Sequence, residues 1–113
     1  MSPEDTGLLR RNRLRSPIFG EVLRTGKFSR GRGVAILVKP NQLRWARIGL
    51  VVPKKLVPRA VDRNRCKRVM REWFRQRQSE MSGNDWVIRL LRAPERPEAT
   101  MLLELERLLP NQQ

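Results

Sequence analysis

The chain has no histidine, no tyrosine and a single cysteine in 113 residues. Without histidine it lacks the commonest general acid–base side chain and the usual nitrogen ligand of transition metals. A lone cysteine excludes an intrachain disulfide. Cys66 stands among apolar residues, which predicts a small buried hydrophobe. Acidic residues are few, 11 against 25 Lys and Arg. In the basic part of the chain, after the N-terminal Glu4-Asp5, they stand apart, at Glu21, Asp62 and Glu72. None has a second carboxylate close in sequence with which to hold the paired Mg²⁺ of a phosphodiesterase. No glycine-rich nucleotide loop is present. Aromatic side chains are limited to Phe19, Phe28, Phe74, Trp45, Trp73 and Trp86. No apolar run is long enough to span a membrane. The opening MSPEDTGLLRRNR lacks a hydrophobic signal core. The expectation is a cytoplasmic protein with no catalytic residues and no metal ligands of its own.

What the chain has instead is positive charge. The formal net charge is +14, which calls for a polyanionic partner. Residues 1–79 carry 21 basic and 5 acidic groups, whereas residues 80–113 carry 4 and 6. The binding surface therefore belongs to the first two thirds, and the remainder completes the fold. The length suits one domain with a modest core. Residues 1–12 read as a flexible basic arm and residues 13–113 as the domain. Within the arm, Arg11-Asn12-Arg13 repeats a tripeptide found again at 63–65, here taken as chance.

The basic residues concentrate in Arg59 to Arg77. This stretch holds eight basic side chains, nine with the upstream Lys55, opposed by Asp62 and Glu72. Its apolar residues Cys66, Val69, Met70, Trp73 and Phe74 follow i, i+3, i+4, i+7, i+8, one stripe of an α-helix. Pro58 marks the start, because Val57 before it is driven out of helical dihedrals. At about 100° per residue, Asn64, Arg68, Arg71 and Arg75 fall opposite the stripe. Arg63 and Lys67 flank them on one side and Arg65 on the other. A solvated charged face mixes signs. This one hardly does, and like charges at i, i+4 repel. A polyanion that neutralises the face accounts for the pattern better than solvent. Glu72 is placed to pair with Arg68 or Arg75 within the helix.

The run Arg63-Asn64-Arg65-Cys66-Lys67-Arg68-Val69-Met70-Arg71-Glu72 resembles the R-N-R-x-K-R-x-x-R-E signature of the bacterial ribonuclease P protein component. Upstream, Arg47-Ile48-Gly49-Leu50-Val51-Val52, Lys54-Lys55 and Arg59-Ala60 are similar to the strand and lysine pair that precede the signature in that family. Residues 19–26, F-x-x-V-L-x-x-G, resemble its first helix. Phe19 stands at the aromatic position, and Leu23 replaces a second aromatic.

The remaining elements follow from local patterns. Ser16 and Pro17 are placed to cap and start a helix over about Pro17 to Arg24, ending at Gly26. Lys27 to Ser29 reads as a short strand, and Arg30-Gly31-Arg32-Gly33 as a basic hairpin loop. Val34 to Val38 is a continuous β-branched run and hence a buried strand. Pro40-Asn41 marks a turn. Arg44 to Val52 is a third strand, expected to pair antiparallel with the second. Ser82-Gly83-Asn84-Asp85 is a turn signal, Trp86 to Leu91 a fourth strand, and Pro97 opens a last helix to about Leu109. Met101, Leu102, Leu105, Leu108 and Leu109 form that helix's core side. The order α-β-β-β-α-β-α predicts an α+β domain with a four-stranded, mostly antiparallel sheet packed by helices. The resemblance further implies a left-handed β-α-β crossover around the signature helix.

The resemblance implies a function as well. In ribonuclease P an RNA subunit is the catalyst, using Mg²⁺ to remove the 5′ leader of precursor tRNA, and the small protein supports it. By this likeness Arg63, Asn64, Arg65, Lys67, Arg68 and Arg71 face the catalytic RNA, joined by Arg75, Lys54 and Lys55. Phe19, Ile36 and Val38 line a leader cleft. Mg²⁺ is held mainly by the partner RNA, no organic cofactor is needed, and the free protein is a monomer. The rival reading is a non-enzymatic basic RNA-binding protein of ribosomal or chaperone type. A peripheral membrane protein is disfavoured, since Trp73 and Phe74 lie on the buried stripe rather than beside the basic face.

Overall fold

The structure, a computed structural model, describes residues 10–94 and 97–109. It is built from a 3₁₀ turn, Arg10–Asn12, then α1 (Ile18–Thr25), β1 (Lys27–Arg30), β2 (Val34–Pro40), β3 (Arg47–Val51), α2 (Ala60–Met81), β4 (Asn84–Leu90), a π-helical turn, Pro97–Met101, and α3 (Leu102–Leu108). The sheet order is β1-β2-β4-β3. β2 pairs antiparallel with β1 and with β4, and β4 pairs parallel with β3.

The expected antiparallel pairing of β2 with β3 is therefore wrong. β4 lies between them, and α2 is the crossover that carries the chain from β3 to its parallel neighbour. The physical reason is burial on two faces. β2 and β4 have the most apolar runs, Val34 to Val38 and Trp86 to Ile88, and both runs are buried throughout. Strands covered on both faces belong at the centre of a sheet. The shorter, partly exposed β3 takes an edge.

Three layers result. α2 and α3 cover one face of the sheet, where Ile36, Val38, Ile48, Trp86 and Ile88 meet Cys66, Met70, Trp73, Phe74, Leu105 and Leu108. α1 covers the other face, where Leu37 and Val87 meet Val22, with Phe19 and Val51 at the margin. The expected α2 stripe is buried, apart from Val69, which is half-buried. Met81 extends it to the helix end.

Boundaries shift by a residue or two. α1 begins at Ile18 with Pro17 at its cap position and no side-chain cap, so Ser16 does not cap it. β3 starts at Arg47 rather than Arg44, because residues 41–46 form a loop in which Gln42 has φ 60°. Gly83 has φ 84°, the left-handed conformation that lets the chain leave α2 and enter β4 at once. Asn84 and Asp85 accordingly belong to the strand, not to a longer turn.

The first nine residues of the expected arm lie outside the described residues. Its last three are packed rather than free. Asn12 is buried, and its amide donates to the Ala46 carbonyl at 2.7 Å. Arg13 bridges to Ile48, and Leu14 N–H donates to the Ile48 carbonyl at 3.0 Å. Trp45 Nε1 donates to the Arg11 carbonyl at 3.0 Å, and the Arg11 guanidinium lies 5.1 Å from the Trp45 ring centre. Among the described residues no helix is long and apolar enough to cross a membrane.

Candidate nucleic-acid interface

α2 presents its basic residues because its apolar stripe is spent on the sheet. Asn64, Arg65, Arg68 and Arg75 are exposed, whereas Arg63, Lys67 and Arg71 are half-buried. The structure sorts these side chains by what they already hold. Arg63 donates to the carbonyls of Val57 and Pro58 at 3.0 and 2.7 Å, tying the α2 start to the linker before it. Those carbonyls precede the helix and have no ladder partner, so Arg63 also has a structural task. Arg59 pairs with Asp62 at 3.6 Å in full view of solvent. Arg75 pairs with Glu72, three residues back on the helix. This hydrogen bond holds the Glu72 carboxyl below its ordinary value and raises Arg75. Of the two partners expected for Glu72, the structure selects Arg75.

Arg71 differs from its neighbours. Burial, and then the charges of Arg13 and Arg68, lower its pKa. A cation crowded by two others and partly withdrawn from water is unfavourable in the free protein. It becomes favourable when an anion enters. Arg13 was not foreseen as part of this face. It comes from the N-terminal segment, held against β3 by Asn12 and Leu14. The signal was present as the repeated Arg-Asn-Arg, set aside as chance.

Lys54 and Lys55 are exposed in the turn after β3, which closes with Leu56 and Val57 N–H on the Pro53 carbonyl, both at 3.0 Å. The connection from β3 leads through them directly into α2, so the pair and the basic helix share one end of the sheet.

Phe19 is half-buried on α1, and a Cβ added at Gly49 would overlap its ring. Glycine at position 49 is thus what lets the ring pack closely against β3. Ile36 and Val38 do not join Phe19. They project to the opposite face of the sheet, into the core beneath α2 and α3, with exposures of 0% and 7%. No ligand reaches them, so their place in a leader cleft is corrected. The β2 side chain on the Phe19 face is Leu37. In an apolar run buried on both sides, period-2 alternation carries no sign of which face is which.

Among the described residues no three carboxylate, cysteine or histidine side chains gather to hold a metal. Of the carboxylates that the sequence isolates, Asp62 and Glu72 are engaged with arginines. Asp85 is buried and held by Arg47 through two bonds of 2.7 and 2.8 Å. Asn41 adds a third at 2.9 Å. The surface is equipped to bind phosphates through arginine forks.

A family model, Ribonuclease P, matches residues 8–112 of this chain. The ribonuclease P protein component of Nitrosococcus oceani is 40% identical over 70 residues, 62% of this chain and 59% of that protein. That of Methylococcus capsulatus is 40% identical over 83 residues, 73% of this chain and 65% of that protein. The chain thus spans a little under two thirds of the length of these relatives. The solved RNase P protein of Staphylococcus aureus superposes with a TM-score of 0.81 at 25% identity, covering 90% of this chain and 95% of that one. The RNase P protein of Thermotoga maritima gives 0.75 at 27% identity, covering 88% and 96%.

Proposed function

Because the chain belongs to the ribonuclease P protein family, we propose that it is the protein subunit of a bacterial ribonuclease P, acting in the cytoplasm. It binds a catalytic RNA through the basic face of α2 and the 5′ leader of precursor tRNA beside α1. The observation that carries this reading is the basic face of α2, where Asn64, Arg65, Arg68 and Arg75 stand exposed and Arg71 half-buried while the opposite stripe is spent on the core. The lowered pKa of Arg71, from burial and then the charges of Arg13 and Arg68, agrees with a face that awaits an anion. Such a face suits a phosphate backbone. The nearest candidate for catalysis, Glu72, is paired to Arg75 at the surface.

In this reading the chain's residues bind and orient. Arg68, Arg71 and Arg13 neutralise phosphates of the RNA subunit, with Arg65, Lys67, Lys54 and Lys55 extending the track. Asn64, exposed on the same face, supplies a neutral donor and acceptor. Phe19 offers part of a flat ring to a leader nucleotide. Mg²⁺ supplies the hydrolytic chemistry on the RNA. With 25 basic groups and a net charge of +14, free copies repel one another, which favours a monomer before RNA binds.

The test is cleavage of 5′-labelled precursor tRNA in Mg²⁺ by RNA-free protein, and by protein joined to a ribonuclease P RNA. The expected outcome is no maturation by protein alone and leader release by the assembly. Specific 5′ maturation by the protein alone would overturn the division of labour. A protein that binds ribosomal RNA in preference, and adds nothing to the assembly, would favour the chaperone-type reading.

A further inference from the structure

Phe28 is the one aromatic side chain exposed to solvent, at 52%, and it stands on β1, an edge strand of the sheet. An edge-strand phenylalanine is a liability in a free protein, because it invites another strand to pair. The ring is half in water although Leu37, its neighbour across the strand pair, is buried.

The register gives its surroundings. Phe28 pairs with Leu37, Leu37 with Val87, and Gly49 with Val87, so these four share one row across the sheet. Leu37 and Val87 lie under α1. Phe19 therefore covers the β3 end of the row, and Phe28 closes the β1 end. Three strand spacings separate the ends, roughly 14 Å. The next row toward the hairpin loop is Arg30, Ala35, Arg89 and Val51. Arg30 and Arg89 are exposed on either side of the buried Ala35. Diagonally from Phe28 on the other side is Lys39, whose ammonium reaches Thr25 Oγ1 at 2.9 Å at the end of α1. The exposed ring thus sits among Arg30, Lys39 and, beyond Ala35, Arg89.

We propose that Phe28 is a second stacking platform for single-stranded RNA, with Arg30 and Arg89 holding the phosphates between it and Phe19. The inference rests on the leader reading above and extends it to the far edge of the sheet. Aromatic rings among cations are the standard means of holding single strands without reading their sequence. A second copy of this chain is the other conceivable occupant. The basic side chains around β1 and the net charge of +14 oppose that edge-to-edge pairing.

The experiment uses the full chain assembled with a ribonuclease P RNA and a series of precursor tRNAs with leaders from about two to about ten nucleotides. Phe28→Ala is expected to weaken binding about 5- to 30-fold for long leaders, the equivalent of roughly 1–2 kcal/mol, and to leave short leaders unchanged. Phe28→Trp should restore the loss. Arg89→Ala should reproduce part of it and flatten the salt dependence. The melting temperature of free Phe28→Ala should stay at the parent value, since half the ring is already in water. The proposal is overturned if Phe28→Ala is neutral at every leader length while Phe19→Ala loses affinity for leader-bearing substrates, which would leave the leader reading standing. It is overturned together with that reading if neither variant responds to leader length. A change confined to sedimentation, with RNA binding intact, would assign Phe28 to self-association instead.

Discussion

The tripeptide Arg-Asn-Arg occurs at 11–13 and again at 63–65, and the two copies do opposite work. In the first, the asparagine is buried and its amide caps the Ala46 carbonyl, while Arg11 lies on Trp45. In the second, the asparagine is exposed, and Arg63 turns back to the Val57 and Pro58 carbonyls. One copy fastens a chain segment with its middle residue; the other fastens a helix start with its first and leaves the middle residue exposed. Arg13, delivered by the first copy, adds its charge beside Arg71, which the helix carrying the second copy presents. Identical letters acquire their roles from the elements that carry them.

The largest effect that would break this comparison is on stability. Asn12→Ala leaves the Ala46 carbonyl without its buried donor and is expected to cost about 1–3 kcal/mol. Asn64→Ala, at an exposed position, should stay within about 0.5 kcal/mol of the parent. Thermal or urea unfolding of the two variants side by side measures the difference. Equal stability losses would mean that the two copies are not used differently.

A sharper contrast comes from Arg71. Its lowered pKa means that the charged form is disfavoured in the fold relative to an ordinary arginine. Arg71→Met keeps most of the apolar stem and removes the charge crowded by Arg13 and Arg68. The free variant should be as stable as the parent or more so. Its binding to ribonuclease P RNA should weaken, and the slope of log affinity against log salt should fall by about 0.7–0.9 if one phosphate contact is lost. Losses in stability and in affinity together would make Arg71 a packing residue and detach the cluster from RNA binding.

How far the sequence disclosed this arrangement depended on how many faces each element buries. α2 buries one stripe, so its period is plain, and Cys66, Met70, Trp73 and Phe74 are where the spacing places them. β2 and β4 bury both faces, so hydrophobicity reveals a strand without revealing its neighbours or its orientation. That ambiguity produced the false pairing of β2 with β3, and it left the family likeness, which put Ile36 and Val38 in a leader cleft, with no local pattern to say which side of the sheet they face. The N-terminal contacts were hidden for another reason. Asn12 acts on a carbonyl 34 residues away, and no local pattern records a bond of that span. Phe28 lay in a strand of four residues whose burial is set entirely by being at an edge.

The smallest expected effect concerns Arg75, which shares the basic face with Arg71 but is engaged. Its partner Glu72 withholds it from phosphate, and the two sit at the surface, where such pairs are weak. Glu72→Gln frees the guanidinium and removes one negative charge from the face. RNA affinity should rise by about 1.5- to 5-fold, the reach of an exposed ion pair. Folding stability should change by no more than about 0.5 kcal/mol. The sign of the pH dependence follows from the carboxyl. Hydrogen bonding to Arg75 puts it below the ordinary 4.5, so its small contribution to stability is complete above that value and disappears as acid carries the pH down through the lowered one. The affinity gap between variant and parent should therefore be constant between about pH 6 and pH 8 and narrow only in acid, where the parent's own Glu72 is neutralised. Filter binding across that range, at one fixed salt concentration, measures it. A variant that binds no better than the parent, with its salt slope unchanged, would place Arg75 outside the RNA contact and confine the interface to the Arg13, Arg68 and Arg71 side of the helix.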